Sequence, residues 1–221
     1  MISEIKEILF NELDESTSTI EPLSGGDINL VYKGALKSQI VVIKINEKDS
    51  FPRMFEDEKL GLKLLSQSSF IIPEVLCVGE TNKRSYIIME YIKKDKPLNW
   101  ELFGRNLALL HKISNPLFGL DHDNYIGSLK QINSFKKNWI EFYSENRILH
   151  LSEIALNKGI LNYESCKKIE SINKKLDSMI PKKKPSLVHG DLWSGNLIAN
   201  SNGDPALIDP AVYFGHPDVD W

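Results

Sequence analysis

Three oxygen-bearing side chains in the last part of the chain have types and spacing that would support phosphoryl transfer. Asp191 lies five positions before Asn196, and Asp209 follows after a predicted short hairpin. One carboxylate would hold and deprotonate an attacking hydroxyl, while an amide oxygen and a second carboxylate would hold Mg²⁺ ions that bridge phosphate oxygens. The alternative is that His-Gly-Asp at 189–191 is an ordinary turn after a buried strand. Three acceptors at this spacing outweigh that alternative.

The order of these residues resembles the catalytic loop of protein kinases, in which a base Asp precedes a metal-binding Asn and a second metal-binding Asp follows. Mg²⁺ is a hard cation that prefers oxygen ligands, so the site needs no Cys or His. It does need an ATP-binding half, which the upstream sequence must supply.

A glycine-containing turn between two predicted strands could cover the phosphates of a nucleotide. Adjacent glycines let the backbone approach a ligand closely, and their N–H groups can bind an anion. The residues predicted to cover ATP are Gly25, Gly26, Asp27, Ile28 and Asn29. Gly-Gly-Asp is also a common hairpin turn, and the full G-x-G-x-x-G pattern is missing, so a turn without a ligand stays open.

The next predicted strand, residues 40–45, is rich in β-branched side chains and contains Lys44. It resembles the kinase strand whose lysine reaches the α- and β-phosphates. The alternative is an edge-strand lysine that faces water. A helix is predicted over 51–66, and its Glu58 could pair with Lys44. Glu56 and Asp57 are acidic neighbours of Glu58 in the same helix.

Two further strands are predicted at 73–79 and 85–92, and helices at 99–112, 134–158 and 162–179. In a kinase layout the last strand ends in a hinge that binds adenine, here Met89, Glu90, Tyr91 and Ile92. The prediction is an α+β, bilobal, protein-kinase-like fold. Its parts are an ATP-binding N-lobe of five antiparallel strands and one main helix at 1–92, a linker at 93–96, and a mostly helical C-lobe at 97–221.

The composition of the chain argues against a nucleic-acid-binding, a disulfide-rich or a membrane-spanning protein. The 221 residues are 42% hydrophobic, which is enough for a proper core, and a net charge of −3 gives no general reason to bind nucleic acid. Cys77 and Cys166 do not form a C-x-x-C pair, so a disulfide framework is not indicated and a reducing cytoplasm fits best. The sequence has neither a signal peptide pattern nor an apolar run long enough to span a membrane, so we expect a soluble protein.

Taken together, the motifs resemble the fructosamine kinase (ketosamine-3-kinase) family, which is related to aminoglycoside and choline kinases. The segments that carry the resemblance are 24–29, Lys44, Phe55-Glu56-Asp57-Glu58 before Gly61-Leu62, 123–127, His189 through Asn196, and 209–216. The resemblance implies ATP-dependent phosphorylation of a sugar hydroxyl, O3, on a free or protein-bound ketoamine, with a role in deglycation. It implies Asp191 as base, Asn196 and Asp209 as Mg²⁺ ligands, Lys44 as phosphate contact, and Glu58 as its partner.

Three residues are candidates for contacts to the acceptor. Trp193 could offer an aromatic face to a sugar, although a core tryptophan is nearly as common, and Asn124 and Gln131 lie in a polar loop at 118–133 that could line a pocket. His111 is more simply a packing or capping residue and receives no chemical role.

The chain departs from the family by stopping at Trp221, where relatives continue for several helices. Asp220 matches an Asp that braces the catalytic loop in such kinases. We therefore expect a truncated C-lobe with uncovered apolar surface, which a homodimer could cover. The alternative is that the chain is a fragment of a longer protein. Two alternatives stay open, namely a non-catalytic nucleotide-binding protein and a kinase for an aminoglycoside or amino alcohol.

Overall fold

The computed structural model describes residues 1–23 and 28–221. The helices are α1 (Ile2–Leu13), α2 (Met54–Leu65), α3 (Trp100–Leu110), α4 (Trp139–Tyr143), α5 (His150–Asn157), α6 (Tyr163–Asn173) and α7 (Leu176–Met179). The strands are β1 (Thr19–Pro22), β2 (Leu30–Ala35), β3 (Ile40–Glu47), β4 (Val75–Glu80), β5 (Arg84–Glu90), β6 (Asn124–Ile126), β7 (Leu129–Gln131), β8 (Ser186–Val188), β9 (Leu197–Ala199), β10 (Pro205–Leu207) and β11 (Tyr213–Gly215). A π-helical turn lies at Ser144–Leu149 and a 3₁₀ turn at Pro217–Asp220.

The chain divides into two compact units. The first contains Met1–Asn106 and Trp193–Pro210, and the second contains Leu107–Leu192 and Ala211–Trp221. The linker predicted at 93–96 stays a prediction.

The first unit is built on a five-stranded antiparallel sheet, as the sequence predicts. The strand order in this sheet is β1-β2-β3-β5-β4. Strand β3 lies in the middle because its β-branched residues suit a strand that is covered on both faces. Side chains alternate across a strand, so Val41, Ile43 and Ile45 point to one face of the sheet. They form a core with Ile5 and Leu9 of α1.

The opposite face of the sheet is covered by α2. Phe55 and Leu62 of this helix pack against Ile87 and Met89 of β5. Lys44 alternates with Ile43 and Ile45 and therefore shares this second face. The strand period thus directs the lysine towards α2 rather than α1.

The β9–β10 hairpin is attached to the first unit through Ile71, which follows α2. Ile71 N–H donates to Pro205 O at 3.1 Å, and Leu207 N–H donates to Ile71 O at 3.0 Å. This parallel bridge anchors the hairpin, and residues 208–210 leave from its end.

In the second unit, β8 pairs antiparallel with β11. Gly119 and Phe214 exchange two backbone hydrogen bonds of 2.8 and 3.0 Å beside this pair. The segment predicted as a loop at 118–133 contains the hairpin β6–β7, whose strands of three residues each are too short to give a periodic signal.

The helix predicted over 134–158 begins later than predicted. Lys136 and Phe118 exchange backbone hydrogen bonds of 2.9 Å, which keeps this part of the chain extended. Asn138 then caps the helix, because its Oδ1 accepts from Glu141 N–H at 2.8 Å. The helix runs from Trp139 through the π turn to the end of α5, and the predicted helix at 162–179 is divided into α6 and α7.

Across residues 1–23 and 28–221, none of the helices has the length and apolar character that crossing a lipid bilayer would require.

Candidate active site

Lys44 is buried in the first unit between two carboxylates. Its side chain is reached by Glu58 of α2, with 2.5 Å between Nζ and Oε1, and by Asp209 Oδ1. Lys44 is only 6% exposed, so the edge-strand alternative is wrong. The predicted pairing with Glu58 is present, whereas the neighbouring Asp57 lies 3.5 Å from Arg53 instead.

The two carboxylates keep Lys44 charged. Burial by itself would lower the pKa of Lys44, but the negative charges of Glu58 and Asp209 outweigh burial and raise the pKa. Burial raises the pKa of Glu58, an effect that the Lys44 ammonium opposes and the Asp209 carboxylate reinforces. Lys44 is therefore a fixed cation at neutral pH, which suits contact with phosphate oxygens.

Asp209 and Asn196 are held near each other by the hairpin. Ile208 N–H donates to Asn196 O at 3.1 Å, and the Asn196 side-chain amide lies 3.5 Å from Asp209 O. Asp209 has a φ of 54°, a left-handed conformation that Asp tolerates better than most residues. The backbone at this turn directs its carboxylate to Lys44.

The donor types at Asn196 and Asp209 fit Mg²⁺. Both residues offer oxygen, and Mg²⁺ commonly takes one or two protein ligands while it keeps waters and substrate phosphates. In the described part of the chain, no group of three His, Cys, Asp or Glu side chains is arranged to hold a metal ion. Asn196 and Asp209 match the one or two protein oxygen ligands that Mg²⁺ commonly takes beside substrate phosphates.

The other predicted nucleotide contacts lie in the first unit, or outside the described residues. Gly25, Gly26 and Asp27 lie outside them, Ile28 is half-buried, and Asn29 Oδ1 accepts from Asn46 Nδ2 at 2.7 Å.

In the predicted hinge, Met89 is a core residue, while the N–H groups of Glu90 and Tyr91 donate to the carbonyls of Glu74 and Ile40 at 2.9 and 3.2 Å. Ile92, next along, is half-buried. These two N–H groups are thus bonded to protein carbonyls, and contact of this stretch with adenine stays a prediction.

Trp193 is 59% exposed, so its alternative assignment as a core residue is wrong. Its indole lies against the backbone at Gly195, where an added Cβ would come within 2.2 Å of the ring. The glycine thus lets the ring lie close to the loop while one side stays in solvent.

The loop that carries Asp191 belongs to the second unit and is braced by Asp220. His189 N–H donates to Asp220 Oδ2 at 2.9 Å, and Gly190 N–H donates to Oδ1 at 3.0 Å. Asp191 N–H donates to His189 Nδ1 at 3.3 Å. Gly190 has a φ of 82°, and Ala211 O occupies the space that a Cβ would need. These contacts fix the backbone immediately before and at Asp191.

His111 takes part in this brace, a role that the sequence did not indicate. Its Nε2 lies 3.0 Å from Asp220 Oδ2. The two residues are far apart along the chain and share no spacing motif, so only the position of His111 at the end of an apolar helical run gave a signal, and that signal indicates packing. Both side chains are nearly buried, so the contact supports the loop from inside the unit.

Asn124 and Gln131 lie in the second unit and are 4% and 5% exposed. Their amides donate to backbone carbonyls, with 2.9 Å from Asn124 to Val212 O and 3.1 Å from Gln131 to Ala211 O. In this structure both side chains hold the segment that follows Asp209, and their contact with an acceptor stays a prediction.

The chain resembles known proteins in family, sequence and structure. The family model described as fructosamine kinase matches residues 1–221. A protein of Vibrio parahaemolyticus named probable ketoamine kinase is 38% identical over 203 residues, which are 90% of this chain and 69% of that protein. The chloroplastic protein-ribulosamine 3-kinase of Arabidopsis thaliana is 35% identical over 210 residues, which are 91% of this chain and 64% of that protein.

Solved structures agree with the sequence comparisons. A Thermobifida fusca protein assigned as a fructosamine-3-kinase aligns with a TM-score of 0.86 and 26% identity over 100% of this chain and 77% of that chain. Aminoglycoside phosphotransferase APH(4)-Ia aligns with a TM-score of 0.68 at 18% identity, which supports the protein-kinase-like fold alone. With a family model that matches every residue, the chain belongs to the fructosamine kinase family.

Proposed function

We propose that this chain is an ATP-dependent kinase that phosphorylates a sugar hydroxyl, O3, of a ketoamine such as fructosamine or ribulosamine, free or attached to a protein. The observation that carries the proposal is the buried Lys44 held between Glu58 and Asp209, in a chain of the fructosamine kinase family. A charged lysine beside a metal-binding carboxylate is the arrangement that phosphoryl transfer requires.

Each residue has a defined task in this proposal. When bound, ATP supplies the γ-phosphoryl group, and Mg²⁺ offsets its negative charge. Lys44 contacts phosphate oxygens, while Asn196 and Asp209 hold the metal. Asp191 holds the acceptor hydroxyl and takes its proton, and the braced backbone at His189 and Gly190 keeps this carboxylate in place.

Further residues would bind the two substrates. Residues 25–29 would cover the nucleotide phosphates, and the 89–92 stretch would contact adenine. Trp193 is well suited to contact the acceptor, because an exposed indole offers an apolar surface to one side of a sugar ring. A role for Asn124 and Gln131 would be indirect, through the backbone carbonyls that they hold.

A ketoamine acceptor is favoured over an aminoglycoside or amino alcohol. Relatives at 38% and 35% identity are named for ketoamines or ribulosamine, whereas the aminoglycoside phosphotransferase is 18% identical. The alternative of a protein that binds nucleotide without catalysis has no observation in its favour. A cytoplasmic location and a homodimer stay predictions.

A panel of acceptors tests the proposal. The chain would be incubated with Mg-ATP and fructosyl-lysine, ribulosyl-lysine, choline or hygromycin B, and each acceptor would be analysed by mass spectrometry. We expect the mass of one phosphoryl group to be added to the ketoamines, and proton–phosphorus NMR to locate it on O3. Phosphorylation of choline or hygromycin B instead would contradict the proposed substrate class.

A further inference from the structure

Three buried amide side chains in the second unit connect Arg147 to the segment that follows Asp209. We call Asn124, Gln131 and Asn133 the amide relay. Their exposed fractions are 4%, 5% and 0%, and that of Arg147 is 8%. Buried polar groups must be hydrogen-bonded to be tolerated, so the orientation of each amide has energetic consequences.

The Arg147 end of the relay supplies hydrogen-bond donors. Arg147 Nη2 donates to Asn133 Oδ1 at 2.8 Å. Since a guanidinium has no acceptor, the oxygen of Asn133 must face Arg147 and its nitrogen must face away. That nitrogen donates to Asn124 Oδ1 at 2.9 Å and to His122 O at 3.1 Å.

At the other end of the relay, the amides of Asn124 and Gln131 donate to backbone carbonyls. Asn124 Nδ2 donates to Val212 O at 2.9 Å. Gln131 Nε2 is shared between Asn124 Oδ1 at 2.9 Å and Ala211 O at 3.1 Å. Donors lie at one end of the relay and carbonyl oxygens at the other. If the amide of Asn124 or Asn133 were flipped, its oxygen would face another oxygen and its nitrogen would face another hydrogen-bond donor. The direction of the relay is therefore set by the donors of Arg147 at one end and by the backbone carbonyls of Ala211 and Val212 at the other.

Arg147 is itself held by the π-helical turn Ser144–Leu149 and by aromatic rings. The wider turn lets the consecutive residues Asn146 and Arg147 both point inward. The guanidinium carbon lies 4.5 Å from the ring centroid of Tyr213 and 4.8 Å from that of Phe142. Burial lowers the pKa of Arg147, but from so high a starting value that the side chain stays charged.

The segment held by the relay also contacts the loop that carries Asp191. Ala211 N–H donates to His189 O at 2.9 Å, and Ala211 O lies where a side chain at Gly190 would be. Ala211 is thus bonded on one side to the relay and on the other side to the loop. A change in its carbonyl position would be transmitted directly to His189 and Gly190.

We propose that Arg147 is a positioning residue for the reaction: through the amide relay it fixes Ala211 and Val212, and through Ala211 it fixes the loop that carries Asp191. The proposal rests on the proposed function, because the position of this loop affects turnover only if Asp191 is the base. The physical link between Arg147 and the loop does not depend on activity.

The link is tested by amide hydrogen exchange on the ligand-free chain. The variants are Arg147→Met, Arg147→Lys and Gln131→Met, with Arg105→Met as the control, because Arg105 is an exposed arginine on α3. We expect Arg147→Met to accelerate exchange in 187–191 and 211–215 by about tenfold or more, with little change in the five-stranded sheet. Arg147→Lys, which keeps the charge, should restore part of the protection, and Arg105→Met should have no effect.

Turnover provides the second measurement. We expect Arg147→Met to lower kcat by on the order of 10- to 100-fold, with KM for Mg-ATP changed by less than about twofold, because misplacing a catalytic group affects the chemical step. If Arg147→Met does not fold, Gln131→Met applies the same test, since it removes the donor to Ala211 O and leaves Arg147 in place.

Unchanged exchange in 187–191 and 211–215 in a folded variant would overturn the proposal, and so would equal acceleration in every segment. If the wild-type chain has no kinase activity, the proposed function fails. The exchange measurement then still decides whether Arg147 holds the loop.

Discussion

In the first unit, the carboxylates of Glu58 and Asp209 share the buried ammonium of Lys44. Removal of one member of a buried ion pair leaves a charge without its partner in a medium that solvates it poorly. Glu58, with a side chain only 10% exposed, would be the residue most affected by loss of Lys44.

Lys44→Met should therefore lower the free energy of unfolding by about 3 kcal/mol at pH ~7. The pKa of Glu58, already raised by burial, would rise further without the ammonium. A raised carboxyl pKa means that the folded state binds the proton more tightly than the unfolded state, so the loss should shrink as pH falls towards about 5. Urea denaturation at both pH values measures this.

The matched control is Lys33→Met. Lys33 pairs at 3.1 Å with Glu21, whose side chain is 59% exposed, so the cost should be below about 1 kcal/mol and nearly independent of pH. Equal losses for the two variants would show that the Lys44 contact is no more than a surface pair.

Gly190 and Gly159 offer a second matched pair, because both have positive φ, of 82° and 69°, and differ in the space available. A Cβ at Gly190 would lie 2.1 Å from Ala211 O, whereas a Cβ at Gly159 has no neighbour within 4 Å among the described residues. Gly159→Ala should cost about 1–2 kcal/mol from backbone conformation alone. Gly190→Ala should cost more than about 3 kcal/mol, since backbone must also move. Chemical denaturation compares them, and similar values would argue against the close approach of Ala211.

At the scale of elements, hydrogen bonds of Glu15 join the segment after α1 to the turn between β2 and β3. Its carboxylate accepts from the N–H groups of Lys37 and Ser38, both at 3.1 Å, and from Ser38 Oγ at 2.6 Å. The Ser38 hydroxyl and the two N–H groups favour the ionised form and lower the pKa of Glu15. The stability that these hydrogen bonds contribute therefore depends on pH.

Glu15→Gln should lower the melting temperature at pH ~7, and the difference from wild type should close in acid. A carboxyl with a lowered folded pKa contributes stability above its unfolded value of about 4.5, and loses it as pH falls through the folded pKa. Thermal melts from pH ~7 to ~3 measure the difference, with Glu7→Gln on the exposed side of α1 as control. A gap that persists unchanged in acid would mean that the charge of Glu15 is not involved.

The helices and strands explain why some contacts of the candidate site could be predicted from the sequence. Lys44 and Glu58 could be predicted because a β-branched strand with one lysine, followed by a helix with a glutamate before Gly61-Leu62, resembles known kinase motifs. Asp209 could be expected near them because its spacing from Asp191 and Asn196 resembles a known motif. The start of the helix at Trp139 was missed because the backbone pairing of Lys136 with Phe118, which keeps the preceding residues extended, joins separate parts of the chain.

Some contacts join residues that are far apart in the chain and that neither helix nor strand periodicity relates. These contacts could not be predicted from the sequence. Asp220 was expected to brace the catalytic loop, but its contact with His111 and the packing of Arg147 on Tyr213 join residues far apart in the chain. A buried arginine in a π turn contradicts the usual expectation that charges lie outside. Asn124 and Gln131 were predicted to line an acceptor pocket. The structure shows that their amides donate to the backbone carbonyls at 212 and 211, a contact that the sequence did not indicate, and their contact with an acceptor stays a prediction.

At the scale of the whole molecule, the account requires one set of residues to bind Mg-ATP and another to perform the proton transfer. In the proposed function, the first task belongs to Lys44, Asn196 and Asp209, and the second belongs to Asp191. Binding of Mg-ATP and turnover can therefore be separated by substitution at Asp191. Asn is the suitable replacement, because it keeps the size of the side chain and removes its basicity.

The most direct test measures ADP release from Mg-ATP by the wild-type chain and Asp191→Asn, with ribulosyl-lysine present or absent, beside a thermal melt with Mg-ATP. The account predicts acceptor-dependent ADP release that falls by about 10²- to 10⁴-fold in the variant, because a general base typically contributes that factor. It also predicts that Mg-ATP raises the melting temperature of both proteins, since a ligand that binds the folded state stabilises it. Undiminished turnover in Asp191→Asn, or a folded wild-type chain that binds Mg-ATP and releases no acceptor-dependent ADP, would contradict the account.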